Sequence, residues 1–187
     1  MNETLKTILT RRSIRKYEEK QIKDEELQNI LEAGKFAPSA MNQQSWHFTV
    51  IQNKEMLQNL NETCKTAFMK SGNKGFEDMA KSENFSIFYN APTFIIVSGD
   101  QKAIAPQCDG SLAIENMFIA AESLAIGSCW IHAMSFLFST QEGKTLLKDL
   151  GIPEGYVPVG SGAFGYKGVE QQPSPAPRKE STVNIIK

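Results

Sequence analysis

The 187 residues carry 20 Lys and Arg against 21 Asp and Glu, a formal net charge of −1. Hydrophobic residues make up 41% and charged residues 22%. This is the balance of an ordinary soluble domain, so wholesale disorder is excluded and one domain with a real core is expected. The near-neutral charge provides no basic footprint for nucleic acid. No apolar run approaches the ~20 residues that a bilayer span takes.

Three widely spaced cysteines, Cys64, Cys108 and Cys129, form neither a disulfide framework nor a CxxC metal pair. The first residues lack the apolar stretch of a secretory signal, so a reduced, cytoplasmic protein is the expectation.

In chain order, Asn2 or Thr4 is placed to cap a first helix ending near Arg12. Asp24 reads as the N-cap of a second, with Glu25 and Glu26 where carboxylates complement the helix dipole. Leu27, Ile30, Leu31 and Gly34 follow at helical spacing, and Pro38 stops that helix near Ala37. Trp46–Ile51, aromatic and β-branched, predicts a strand. Leu57, Leu60, Cys64 and Ala67 mark a helical stripe, 71–75 a loop, and 93–98 a strand buried on both faces.

Asp109 is the expected cap of the longest helix, which runs to about Ile126 with Gly127 at its C′ position. That helix is apolar nearly all round, which places it at the domain centre or in a subunit interface. Residues 128–132 predict a short strand, 140–150 an amphipathic helix, and 156–159 with 161–166 a strand interrupted by glycine. The tail 171–187 is Pro-rich and ends in a candidate edge strand at 182–186. Without regular βα alternation, the fold class is α+β, helices layered around a small sheet.

The sharpest local feature is Arg11, Arg12, Ser13 and Arg15. Three guanidiniums and a hydroxyl within five residues supply bidentate donors for a phosphate. A solvated basic face beside Lys16, Glu18 and Glu19 is the plainer alternative. The second is the loop at 38–46, where Asn42, Gln43 and Gln44 offer paired donors and acceptors suited to a heterocycle edge. An ordinary turn, with Ser39 and Asn42 bonding their own backbone, would leave the same pattern.

Gly160, Gly162 and Gly165 formally spell GxGxxG, but no helix or acidic partner follows, so a Rossmann site is excluded. These glycines instead let a backbone pack closely against something flat or against another strand. His47 and His132, in apolar segments, read as core or interface residues with no metal set around them. Cys129 reads as a small buried hydrophobe. Arg178 and Lys179 gain meaning only if the tail folds back toward the first basic cluster.

Taken in this order, the pieces resemble the FMN-dependent nitroreductase family. The resemblance rests on RRSIR at 11–15, PSAMNQQSWHF at 38–48, the long apolar helix, GSCW at 127–130, GAFGYKG at 162–168 and a basic residue after prolines near the end. It spans essentially the whole chain. It implies one α+β domain over 1–187, a small, mostly antiparallel sheet wrapped by helices. It also implies an intertwined homodimer with two FMN sites at its interface, residues 168–187 packing on the partner.

By the same resemblance, Arg11, Arg12, Ser13 and Arg15 hold the FMN phosphate and ribityl chain, and Arg178 or Lys179 returns to that phosphate. Pro38, Ser39, Ala40, Met41 and Asn42, with Gln44 close by, approach the flavin from the other subunit. Cys129, Trp130 and Ile131 lie under the isoalloxazine, Gly165 and Gly168 flank the returning loop, and Asn73 meets the ring edge. FMN is bound tightly and non-covalently, and NAD(P)H is the co-substrate, its hydride passing to flavin N5. A nitroaromatic, quinone or enone then takes the electrons in the same pocket.

The flavin carries the redox chemistry, so no acid, base or nucleophile constellation is needed and no catalytic residue is assigned. The segment 65–90, with Phe68, Phe76, Phe85, Phe88 and Tyr89, either roofs the pocket or joins the core. A dehalogenase-type relative and a non-catalytic FMN-binding protein are the alternative readings.

Overall fold

The structure, a computed structural model, describes residues 1–170 and 172–187; Gln171, at the head of the Pro-rich tail, lies outside the described residues. Its sheet is built from β1 (Trp46–Ile51), β2 (Thr93–Asp100), β3 (Ile126–Trp130) and β4 (Tyr156–Tyr166). All pairings are antiparallel, in the order β1-β2-β4-β3. The central place of β2 follows from a sequence apolar on both faces. Ile95 and Val97 enter one hydrophobic cluster and Phe94 and Ile96 the other, all fully buried. β4 is one continuous strand, with a register shift opposite Val97 and Ser98.

Helices α1 (Glu3–Thr10), α2 (Asp24–Lys35) and α5 (Pro106–Ser123) precede or flank one side. α2 and α5 supply Leu27, Ile30, Ile114 and Met117 to the cluster of Ile95. Gly34 permits this approach, since a Cβ there would collide with the Met117 side chain. On the other side α3 (Lys54–Met69), α4 (Lys74–Ala80), α6 (Met134–Ser139) and α7 (Gln141–Asp149) supply Leu57, Phe68, Ala80, Leu137 and Leu146. No helix among the described residues is long and apolar enough to cross a membrane.

Several boundaries differ from expectation. Lys23, not Asp24, is the N-cap of α2, and its backbone N–H donates to the Glu26 carboxylate at 2.9 Å. α5 starts three residues before Asp109, capped at Ala105 with Pro106 in its first turn. It ends at Ser123, and Ala125 takes the left-handed conformation (φ 59°) that redirects the chain into β3. Gly127 therefore lies in a strand rather than at the helix C′ position.

α4 and α6 were not expected; at seven and six residues they are too short to show a period. Residues 182–186 form no strand, because the described chain offers them no partner strand. Val183, Ile185 and Ile186 are exposed instead, as are Leu5, Ile8 and Leu9 of α1. Of the core and interface placements expected for His132, the core one does not hold, since its side chain is exposed just beyond β3.

Candidate functional site

After α1 the chain runs extended along the sheet. Ile14 N–H donates to Ser128 O at 2.9 Å, Glu18 N–H to Tyr166 O at 3.0 Å, and Gly168 N–H to Lys16 O at 3.0 Å. Ser13 pairs with Ser128, and Tyr17 with Lys167. Glycines make room for this segment. A Cβ on Gly127 would lie 3.0 Å from Ile14 Cβ, and one on Gly165 2.8 Å from Pro92 Cδ. One on Gly168 would lie 2.9 Å from the Tyr17 carbonyl carbon. Gly165 and Gly168 thus carry the basic segment, and the space beside them is filled by Pro92 and Tyr17.

Extended backbone sends successive side chains to opposite sides. Ile14 is fully buried. Arg12 turns back on α1, its two terminal nitrogens donating to the carbonyls of Leu9 (2.8 Å) and Arg11. Arg12 Nε is buried with no partner among the described residues.

The odd-numbered residues go the other way. Arg11 Nε lies 3.7 Å from Glu115 Oε1, with its guanidinium 5.8 Å over the Phe118 ring. Arg15 Nε donates to the Tyr89 hydroxyl at 3.3 Å, with its guanidinium 5.8 Å over that ring. Burial pushes Cys129 above the ordinary cysteine value, while Arg15, a hydrogen bond from Ser13, and Arg11 pull it back. A buried thiol held protonated is not a nucleophile.

The loop at 38–45 is held differently. Met41, Asn42 and Gln44 all adopt left-handed φ (51°, 54° and 48°), at a cost on the order of 1–3 kcal/mol for each residue held in such a sparsely populated region. Asp109 stabilises this shape. It is 2% exposed; Oδ1 accepts from Ala40 N–H at 3.0 Å and Oδ2 from the Ser45 hydroxyl at 2.7 Å. Ser39 Oγ accepts from Gln44 N–H at 2.9 Å, and Gln44 Nε2 donates to Asn42 Oδ1 at 3.1 Å. Gln43 Oε1 accepts from Ile104 N–H at 2.9 Å. The loop presents Pro38, Asn42 and Met41 to the outside, Met41 at 85% exposure. Asp109 holds this loop in place, a role that sequence reasoning missed because a carboxylate read as a helix cap already had a sufficient explanation.

Trp130 packs edge-on against Phe118 at 6.5 Å, and Gly160 admits its ring. Ile131 N–H donates to Ser161 O at 2.9 Å, and the Ser161 hydroxyl donates back to Ile131 O at 3.0 Å. Asn73 caps α4, its side-chain oxygen accepting from Gly75 N–H (2.9 Å) and Phe76 N–H (3.3 Å).

The aromatics of 65–90 mostly join the core rather than a roof. Phe68 stacks on Phe76 at 4.4 Å and meets Phe85 and Phe136 edge-on, and Phe88 packs on Phe94. Tyr89 alone among them reaches the basic segment. At the other end, Lys167 and Gln172 both bond the Glu122 carboxylate at 2.9 Å, fixing the start of the tail. Arg178 and Lys179 lie on its exposed stretch, with no hydrogen bond to residues 11–15 among the described residues. No cluster of His, Cys, Asp and Glu suited to a metal occurs among the described residues.

Comparison with known proteins agrees with this geometry. Residues 8–166 match the Nitroreductase family. The whole chain superposes on all of a nitroreductase from Bacteroides fragilis NCTC 9343 solved with bound FMN, at a TM-score of 0.94 and 42% identity. An FMN-bound nitroreductase from Desulfitobacterium hafniense DCB-2 matches at a TM-score of 0.88 and 30% identity, over 99% of each chain. A protein of Archaeoglobus fulgidus, provisionally named an NADH dehydrogenase/NAD(P)H nitroreductase, is 38% identical over 172 residues, 89% of this chain and 86% of that one. The chain belongs to the nitroreductase family.

Proposed function

We propose that the protein is an NAD(P)H-dependent FMN oxidoreductase that works as a homodimer and reduces an electron-poor acceptor such as a nitroaromatic, quinone or enone. The observation that carries this reading is the alternation at residues 11–15. Arg11, Ser13 and Arg15 share one side of a segment laddered to the sheet. That donor set fits FMN: a phosphate of charge near −2 is matched by fixed guanidiniums and a hydroxyl. The relative from Bacteroides fragilis was solved with FMN bound.

The chemistry supplied by bound FMN is hydride acceptance from NADH or NADPH and delivery of the electrons onward. The residues of this chain bind and orient. Arg11, Ser13 and Arg15 take the phosphate and ribityl side, and Trp130 and Ile131 floor the ring. Residues 38–42 and Gln44 reach the flavin of the second subunit, and Arg178 returns to the phosphate from the tail. The outward-facing Leu5, Ile8 and Leu9 of α1, Met41, and Val183, Ile185 and Ile186 support burial against a second copy, with residues 168–187 packing on it.

The test is anaerobic: the purified yellow protein is mixed with NADH or NADPH, then with a panel of acceptors. Bleaching by a nicotinamide followed by reoxidation is the expected result. A yellow protein that neither nicotinamide bleaches would favour a flavin-binding module, and a protein unable to hold FMN would overturn the reading.

A further inference from the structure

Of the three arginines in residues 11–15, Arg11 faces Glu115 and Arg12 caps α1, whereas Arg15 meets no carboxylate and no backbone carbonyl among the described residues. Its one hydrogen bond runs from Nε to the hydroxyl of Tyr89, and its guanidinium lies over the same ring. The two terminal nitrogens have no protein partner among the described residues. An arginine tied by Nε and by one face of its plane keeps a bidentate fork open on its far edge.

Tyr89 reaches Arg15 from 74 positions away along a strained backbone. Its φ is 56° and that of Asn90 is 55°. For a bulky aromatic this conformation is an outlier that persists only where the surroundings over-determine it. Here they do. Tyr89 N–H donates to Ser86 O at 3.2 Å, Asn90 N–H to Ser86 Oγ at 2.7 Å, and Ala91 N–H to Phe88 O at 3.1 Å. Phe88 is buried against Phe94, with ring centroids 5.6 Å apart. The strain fixes where the phenol stands, and the phenol stands against Arg15. The same contact holds the guanidinium further on the charged side.

We propose that Tyr89 is a positioning residue for Arg15, fixing the guanidinium by its ring face and Nε by its hydroxyl, so that the two terminal nitrogens meet the bound cofactor as a preformed fork. This rests on the FMN reading above. A long side chain ordered before binding loses less conformational freedom on binding, which tightens the complex without adding a contact.

The test measures FMN release on dilution of the purified holoprotein, followed by FMN fluorescence, with thermal unfolding recorded alongside. Tyr89→Phe keeps the ring and the strain but removes the hydroxyl; it should weaken FMN binding about 3-fold with an unchanged unfolding midpoint. Tyr89→Ala removes the ring as well and should weaken binding roughly 10-fold or more. In an Arg15→Ala background, Tyr89→Phe should add nothing, a non-additivity that a merely structural role would not produce.

The proposal is overturned if Tyr89→Phe retains wild-type affinity, or if it weakens binding equally with and without Arg15. A wild-type protein that holds no FMN overturns the FMN reading and this proposal with it. If Tyr89→Ala fails to fold, Tyr89→Phe and the double variant still decide.

Discussion

Residues 11–18 and the loop at 38–45 both carry candidate site residues, yet they are held in opposite ways. The first is laddered to β3 and β4 by backbone hydrogen bonds, so geometry alone decides which side chains face out. The second has three left-handed non-glycine residues and depends on side chains, chiefly the buried Asp109. A laddered segment tolerates exchange of its outward residues. A loop anchored by one distant carboxyl group does not tolerate loss of that group.

The largest effect that would sharpen this contrast is expected from Asp109→Ala. The half-buried Ala40 N–H and the buried Ser45 hydroxyl lose their acceptor together. Unfolding free energy in urea should fall by about 2–4 kcal/mol, with FMN affinity falling alongside. A loss well under 1 kcal/mol would show that something else holds the loop.

Arg11→Ala should do the reverse. It should weaken FMN binding by about 1.5–3 kcal/mol, roughly 10- to 150-fold, with little change in stability. Arg12→Ala, one position on, should leave FMN affinity nearly intact and cost at most about 1 kcal/mol at the end of α1. If Arg11 and Arg12 behave alike in both assays, the alternation has no functional content.

Gly168→Ala probes the ladder itself. Its Cβ would face backbone atoms of Tyr17, which have little freedom to move. A destabilisation of about 1–3 kcal/mol and a weaker hold on FMN should appear in the same titrations. Ser39→Ala should be mildest. It removes one acceptor from the exposed Gln44 N–H, costs about 0.5–1 kcal/mol, and should show first as faster proteolysis at residues 38–45.

What could be read from the chain divides along the same line. β1, β2 and the long α5 announce themselves because burial marks consecutive residues, with an aromatic and β-branched run in β1 and near-continuous apolar runs in β2 and α5. The extended run of Arg11, Ser13 and Arg15 is similarly local. Asp109 illustrates the limit. Its partners are 69 and 64 positions away, and no local pattern connects them. Tyr89 was grouped with four phenylalanines that serve the core, because its left-handed backbone is set by Ser86 and Phe88 rather than by its own side chain. The strand expected at 182–186 has the right composition, but a strand is a property of a pair, and the chain alone supplies one member.

The parity of residues 11–15 has a consequence for how such a protein can change. Position 14 fills the core, so mutational drift there is purged by misfolding, whereas position 12 only closes the end of α1 and drifts at a smaller cost. Positions 11, 13 and 15 are not themselves buried, so their identities can wander while the scaffold persists. A randomised library at positions 11, 13 and 15 would return many folded proteins with altered anion preference, and one at position 14 would return few folded proteins of any kind. The chain therefore separates evolvability from foldability at single-residue spacing.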